Sequence, residues 1–147
     1  MEQISFHYLL MTTHLTLQKN LLALLHDTGL TSGQPKILDY LHEHDGANQK
    51  EIAAACHMEA ASLTAVLNGM ENKNLIERRM LNGNRRSSHV FLTEKGKEMQ
   101  RKVLDAFSHL ETLAFKNISN EDLTCFLEVF CKIYDNMKTA KETVRYE

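Results

Sequence analysis

The stretch LIERRMLNGNRRSSHVFLT, residues 75–93, decides the reading of this chain. It reads as strand, turn, strand. Val90-Phe91-Leu92 forms the returning strand, and Asn82-Gly83-Asn84 supplies a turn in which positive φ is cheap. Four arginines sit on this hairpin, Arg78 and Arg79 on the outgoing strand and Arg85 and Arg86 at the tip. A helical segment that begins near Glu59 leads directly into it. A helix followed by an arginine-tipped hairpin is the layout of a winged helix. In that layout the helix fills the major groove and the tip reaches the phosphates or the minor groove.

The charge distribution supports a local anionic partner better than the total does. The 147 residues carry a formal charge of −2, yet residues 48–97 hold eight Lys/Arg against five Glu, so the remainder is acidic. From Asn72 to Arg86 there are five basic residues and one acidic residue. That concentration is an electrostatic footprint, and a solvated basic loop is the plainer alternative. The length is that of one domain. At 43% hydrophobic and 24% charged residues, the composition is that of an ordinary globular protein. There is no apolar run long enough to span a bilayer and no signal-peptide pattern. Cys56, Cys125 and Cys131 are odd in number and irregular in spacing, which predicts reduced thiols in a cytoplasmic protein.

Periodicity places helices on both sides of the hairpin. Ile4 to His26 carries Phe6, Leu9, Leu10, Leu17, Leu21, Leu24 and Leu25 at helical spacing. Thr31-x-x-Gln34 reads as a capping box, with Pro35 in the first turn of a second helix. Asn48-x-x-Glu51 reads as another, opening a short third helix, and Cys56-His57-Met58 turns into the helix Glu59–Lys73. Asn74 takes the left-handed position that ends it. Thr93 starts a helix running to about Lys116, and Ser119-x-x-Asp122 starts the last, to about Thr143. The outer helices are too apolar to stand alone beside a lobe of about 70 residues. A homodimer in which the first and last helices of two chains interlock covers them. It also sets two recognition helices on one duplex, which implies a palindromic site.

These pieces resemble the multiple-antibiotic-resistance regulator (MarR) family of winged-helix transcription regulators. The similarity runs from about Leu30 to Met99 through LTSGQPKILDYL, QKEIAAAC, ASLTAVLNGMENKNLIERR and NRRSSHVFLTEKG. The specific part is Met70-Glu71-x-x-Asn74-Leu75-Ile76-x-Arg78, then Asn84-x-Arg86, then Leu92-Thr93-x-x-Gly96. The resemblance implies one mainly helical domain over residues 1–147. Its winged lobe covers about 31–96, with dimerisation helices at about 4–28 and 94–145. It further implies a cytoplasmic homodimeric repressor that binds double-stranded DNA without a cofactor. The chain departs from the pattern at three places. Asn84 stands where the family has Asp, so Arg86 gains an amide acceptor in place of a charge-assisted fork. Ala65 and Gly69 stand where basic or polar residues are common. Asn74 stands for Gly, a mild change because Asn tolerates left-handed geometry.

On the recognition helix Ala61, Ser62, Thr64 and Asn68 are the candidates for DNA contact, with Asn68 suited to adenine. Capping and solvation are the alternative roles for Ser62 and Thr64. Arg86 is assigned to the minor groove and Arg85 to phosphate. Arg78 and Arg79 alternate across their strand, so one is expected to face DNA and the other to brace the wing or pair with Glu71 or Glu77. Asn48 and Gln49 open the third helix, where backbone N–H groups can meet a phosphate.

In the family, ligands enter a cleft between the dimer helices and the winged lobe. His7, Met11, His14 and Tyr40 are the candidates to line it, around a small aromatic or anionic compound. A metal-responsive regulator is an alternative, since there are eight histidines. However, His42-x-His44 and the pair His7 and His14 lack further ligands at metal spacing, and Lys36 stands where the zinc-sensing branch has histidine. A thiol-responsive regulator is another alternative, although the first helix lacks the cysteine of the peroxide-sensing branch. A winged helix that binds protein is the competing class. No nucleophile elbow, phosphate-binding Gly loop or paired His/carboxylate motif supports an enzyme.

Overall fold

A computed structural model of the chain describes residues 3–81, 83 and 88–143. The order is α1 (Phe6–Leu24), α2 (Gln34–Glu43), α3 (Gln49–Ala55), α4 (Ala60–Asn72), β1 (Ile76–Met80), β2 (Ser88–Leu92), α5 (Glu94–Ala114) and α6 (Asn120–Thr143). The expected mainly helical winged helix-turn-helix is therefore the observed fold. The chain separates into two compact units, Met1–Leu110 and Glu111–Glu147.

The first unit has one core. Ile37, Leu38 and Leu41 of α2 meet Ile52 of α3, Leu63, Leu67 and Met70 of α4, Leu75, Ile76 and Val90 of the hairpin and Val103 of α5, all fully buried. Leu21 of α1 and Leu25 just beyond it close one side. Upstream of Leu21, α1 exposes Phe6, Tyr8, Leu9, Leu10, Met11, Leu15 and Leu17.

The helix ends follow local chemistry. Asn48 accepts from the Glu51 N–H at 2.9 Å and Glu51 returns a carboxylate to the Asn48 N–H at 3.1 Å, a complete capping box. Asn74 has φ 60° and turns the chain from α4 into β1. Thr93 Oγ1 accepts from the Gly96 N–H at 3.0 Å and donates to the Asn74 carbonyl at 2.6 Å, so one hydroxyl starts α5 and ties it to the end of α4. The start of α2 corrects the sequence reading. Gly33, left-handed at φ 90°, is the residue at the helix start, and no side chain caps it there. Gln34 still reaches back, its Oε1 accepting from the Thr31 N–H at 3.1 Å. The cap fails because the chain turns through Gly33 after Thr31, which leaves the threonine outside the first helical turn.

β1 and β2 pair antiparallel with Arg78 opposite Val90 and Glu77 opposite Phe91. The loop between α2 and α3 adds a third, very short edge. Gly46 N–H donates to the Val90 carbonyl at 2.8 Å, Val90 N–H donates to Ala47 at 2.9 Å, and Asn48 bridges His89. Asp45 Oδ1 accepts from the Leu92 N–H at 2.8 Å. These bonds root the hairpin in the helical lobe.

The second unit contains the end of α5 and all of α6. Asn117, at φ 64°, ends α5, and Ser119 Oγ accepts from the Asp122 N–H at 3.1 Å to start α6. Phe126 stacks on Phe130, and α6 exposes Phe126, Leu127, Val129, Tyr134 and Met137. Among the described residues no helix is long and apolar enough to cross a membrane.

Candidate nucleic-acid interface

α4 spends one face on the core through Leu63, Leu67 and Met70. The helical period of 3.6 residues then puts Ala61, Ala65, Asn68 and Asn72 directly opposite, and all four are exposed. This outward line is two methyls and two amides. Thr64 and Ser62 lie on its flanks. Thr64 Oγ1 donates to the Ala60 carbonyl at 3.0 Å and accepts from Gln49 Nε2 at 3.4 Å, so it links α4 to the start of α3. Ser62 is exposed on the opposite flank, toward Gly69.

The strand arginines are both paired. Arg78 lies on the face of β1 shared with Ile76 and Val90, and only 19% of its side chain is exposed. Its Nε donates to Glu71 at 3.0 Å and an Nη donates to the Asn68 carbonyl oxygen. Arg79 is on the other face, with its guanidinium 2.9 Å from Glu77 and 4.6 Å above the Phe91 ring. The two arginines thus alternate as the strand requires, and each finds one of the two named glutamates. Arg79 keeps 57% of its side chain exposed, whereas Arg78 is committed to the joint between α4 and β1. Arg85 and Arg86, together with Asn84, lie outside the described residues. Asn48 is half-buried with its side chain used in the α3 cap, and Lys50 is exposed beside it.

A second feature lies behind α4. A cavity of about 350 Å³ opens between α1, the start of α2, α4 and α5. Its lining is mostly apolar, with Leu17, Leu21, Val66 and Phe107, and its polar groups include His14, Gln18 and Lys36. Of the four sequence candidates it takes in His14. His7 and Met11 are exposed on the earlier turns of α1, and Tyr40 stacks on His44 at 4.3 Å on α2. Met58, just before α4, and Val66 within it bring the wall of the cavity to that helix.

The buried Cys56 is held as a thiol. Burial raises its pKa, Lys36 opposes that in part and Asp39 adds to it, while its Sγ donates weakly to the Lys36 carbonyl at 3.7 Å. Cys125 and Cys131 are exposed. Among the described residues no group of three His, Cys, Asp or Glu side chains is placed to hold a metal ion.

Comparison with known proteins finds similarity over this part of the chain. Residues 30–88 match the MarR family. The match spans α2 to the start of β2. YdgJ of Bacillus subtilis (strain 168), named an uncharacterised HTH-type transcriptional regulator, is 26% identical over 117 residues, which is 78% of this chain and 70% of the relative. Among solved structures, MepR of S. aureus, crystallised as a DNA complex, superposes with a TM-score of 0.82 at 21% identity, covering 93% of this chain and 99% of that one. A putative MarR-family transcriptional regulator from Listeria monocytogenes, complexed with a 26-mer DNA, gives 0.89 at 14% identity, covering 99% of both chains. The MarR-like motif at 70–78 now has a structural meaning. Glu71 and Arg78 are the two ends of the joint that fixes the wing strand to α4. Sequence reading treated Ala65 only as a departure from the family pattern and missed Asn72, although the same 3.6 period that assigned Leu63, Leu67 and Met70 to the core places both on the outward line.

Proposed function

We propose that this chain is a DNA-binding transcription regulator that acts as a homodimer and represses from a palindromic operator. One observation carries the reading. α4 offers a full outward line, Ala61, Ala65, Asn68 and Asn72, that has no role in the core, and it stands beside an arginine-bearing hairpin in a lobe matched to the MarR family. Solved neighbours with this fold hold DNA. α4 enters the major groove, where the Ala methyls meet thymine methyls and the amides meet base edges. Arg85 and Arg86 serve phosphate and minor groove. The exposed apolar faces of α1 and α6 are the dimer surface, and a two-fold dimer reads two half-sites.

Release is proposed to come from the cavity behind α4. An occupant held by Leu17, Leu21 and Phe107, with Lys36 and His14 toward an anionic group, presses on Val66 and Met58 and so moves the recognition helix.

The test is fluorescence anisotropy with duplex from the region upstream of the protein's own coding sequence, for wild type and Arg86→Ala over a salt series. About 6–10 phosphate contacts predict a loss of roughly 10³–10⁵ in affinity between about 50 and 200 mM salt, and a further loss in the variant. Weak binding that ignores sequence, salt and Arg86 would refute the reading and favour a protein partner for the wing.

A further inference from the structure

Asn68 stands on the outward line of α4, and its amide is oriented from the side. Arg78 Nε grips Glu71 at 3.0 Å while an Nη donates to the Asn68 oxygen. A guanidinium has five donors and no acceptor, so only the oxygen of the amide can face it. Glu71 holds the guanidinium in place, and the low exposure of Arg78 keeps it there. An unrestrained asparagine shows adenine a donor and an acceptor together, matching N7 and the N6 amino group. Here the acceptor side lies against a cation. Its second lone pair remains, but an approaching amino group meets the positive guanidinium, whereas an acceptor is attracted by it.

We propose that Arg78 is a positioning residue that turns Asn68 into a donor-only reader, so that α4 selects guanine, whose O6 and N7 offer two acceptors against the single O4 of thymine, and discriminates against the donor-bearing edges of adenine and cytosine. The inference rests on the DNA-binding reading above and goes beyond it, because it names the base and the residue that sets the choice. It also reverses the adenine preference that the sequence suggests for Asn68.

The experiment is selection of bound sites from a randomised duplex pool by the full-length wild type, Asn68→Asp and Arg78→Gln, each first checked by thermal melting. Asn68→Asp keeps a partner for Arg78 and replaces the outward donor with an acceptor. Arg78→Gln can donate or accept and so frees the amide to turn. The expected result is one guanine position per half-site for wild type. That position changes to cytosine or adenine with Asn68→Asp and admits adenine with Arg78→Gln, each change amounting to roughly 5- to 150-fold in relative affinity. If wild type selects adenine there, or if Asn68→Asp leaves every position unchanged, the inference is overturned while the regulator reading stands. If wild type enriches no sequence, the regulator reading fails and the inference with it. Should Arg78→Gln not fold, Asn68→Asp alone still decides, because that side chain is exposed and Arg78 remains beside it as a hydrogen-bond donor.

Discussion

At Gly96 a single methyl group decides whether the wing can close on the lobe. A Cβ there would lie 1.9 Å from the Leu75 carbonyl oxygen, a backbone atom that cannot step aside. Gly96→Ala is therefore expected to destabilise the fold by about 1–3 kcal/mol or more. Gly69 is the opposite case. It sits mid-helix, and a Cβ would meet only Gln34 Nε2 at 3.5 Å, an ordinary contact. Gly69→Ala is expected to stabilise by about 0.5–1 kcal/mol through helix propensity. Denaturant unfolding of the two variants side by side checks both signs. Cys56 gives a pH prediction at the same scale. Because burial raises its pKa, the folded state favours the protonated thiol. Its stabilising contribution is complete below the free-thiol value of about 8.5 and is lost as pH rises through the raised value. Unfolding free energies measured from neutral to alkaline pH are expected to fall less steeply for Cys56→Ala than for wild type. An equal slope in both would remove Cys56 from the account.

Among the elements, α3 depends most on its cap. It has seven residues, too few to be stable by itself, and both halves of the Asn48–Glu51 box are made. Asn48→Ala is expected to cost about 0.5–2 kcal/mol, read as a lower denaturation midpoint at unchanged slope. A change below about 0.3 kcal/mol would show that packing of Ile52 alone holds α3. This box was legible in the sequence, as were the left-handed Asn74 and the Thr93 start of α5. Each of these is set within about four residues of chain. The features that escaped are set by contacts distant in sequence. Asp45 and Gly46 serve the hairpin 43 to 47 positions later, through His89 and Leu92. The cap of α2 went to Gly33 because a left-handed turn intervened. The Arg78–Glu71–Asn68 joint exists because the turn at Asn74 folds β1 back along α4, which spacing alone does not show. The cavity needs four helices together, so only His14 of its residues was anticipated.

At the scale of the whole molecule the exposed aromatic and aliphatic side chains of α1 and α6 are the unfinished part of the fold. Exposed apolar faces of this extent mark an interface. In the proposed homodimer that interface fixes the distance between two copies of α4 and so the spacing of the half-sites, while its two-fold axis makes the operator palindromic. It also gives an occupant of the cavity a way to act, since Val66 and Met58 share its wall with α1. Hydroxyl-radical footprinting of the purified protein on the duplex upstream of its own coding sequence tests this most directly. The account predicts two protected segments of equal strength, related by a two-fold axis, with centres about 10–10.5 base pairs or a multiple of that apart. A single asymmetric protected segment, or uniform protection without sequence preference, would contradict it.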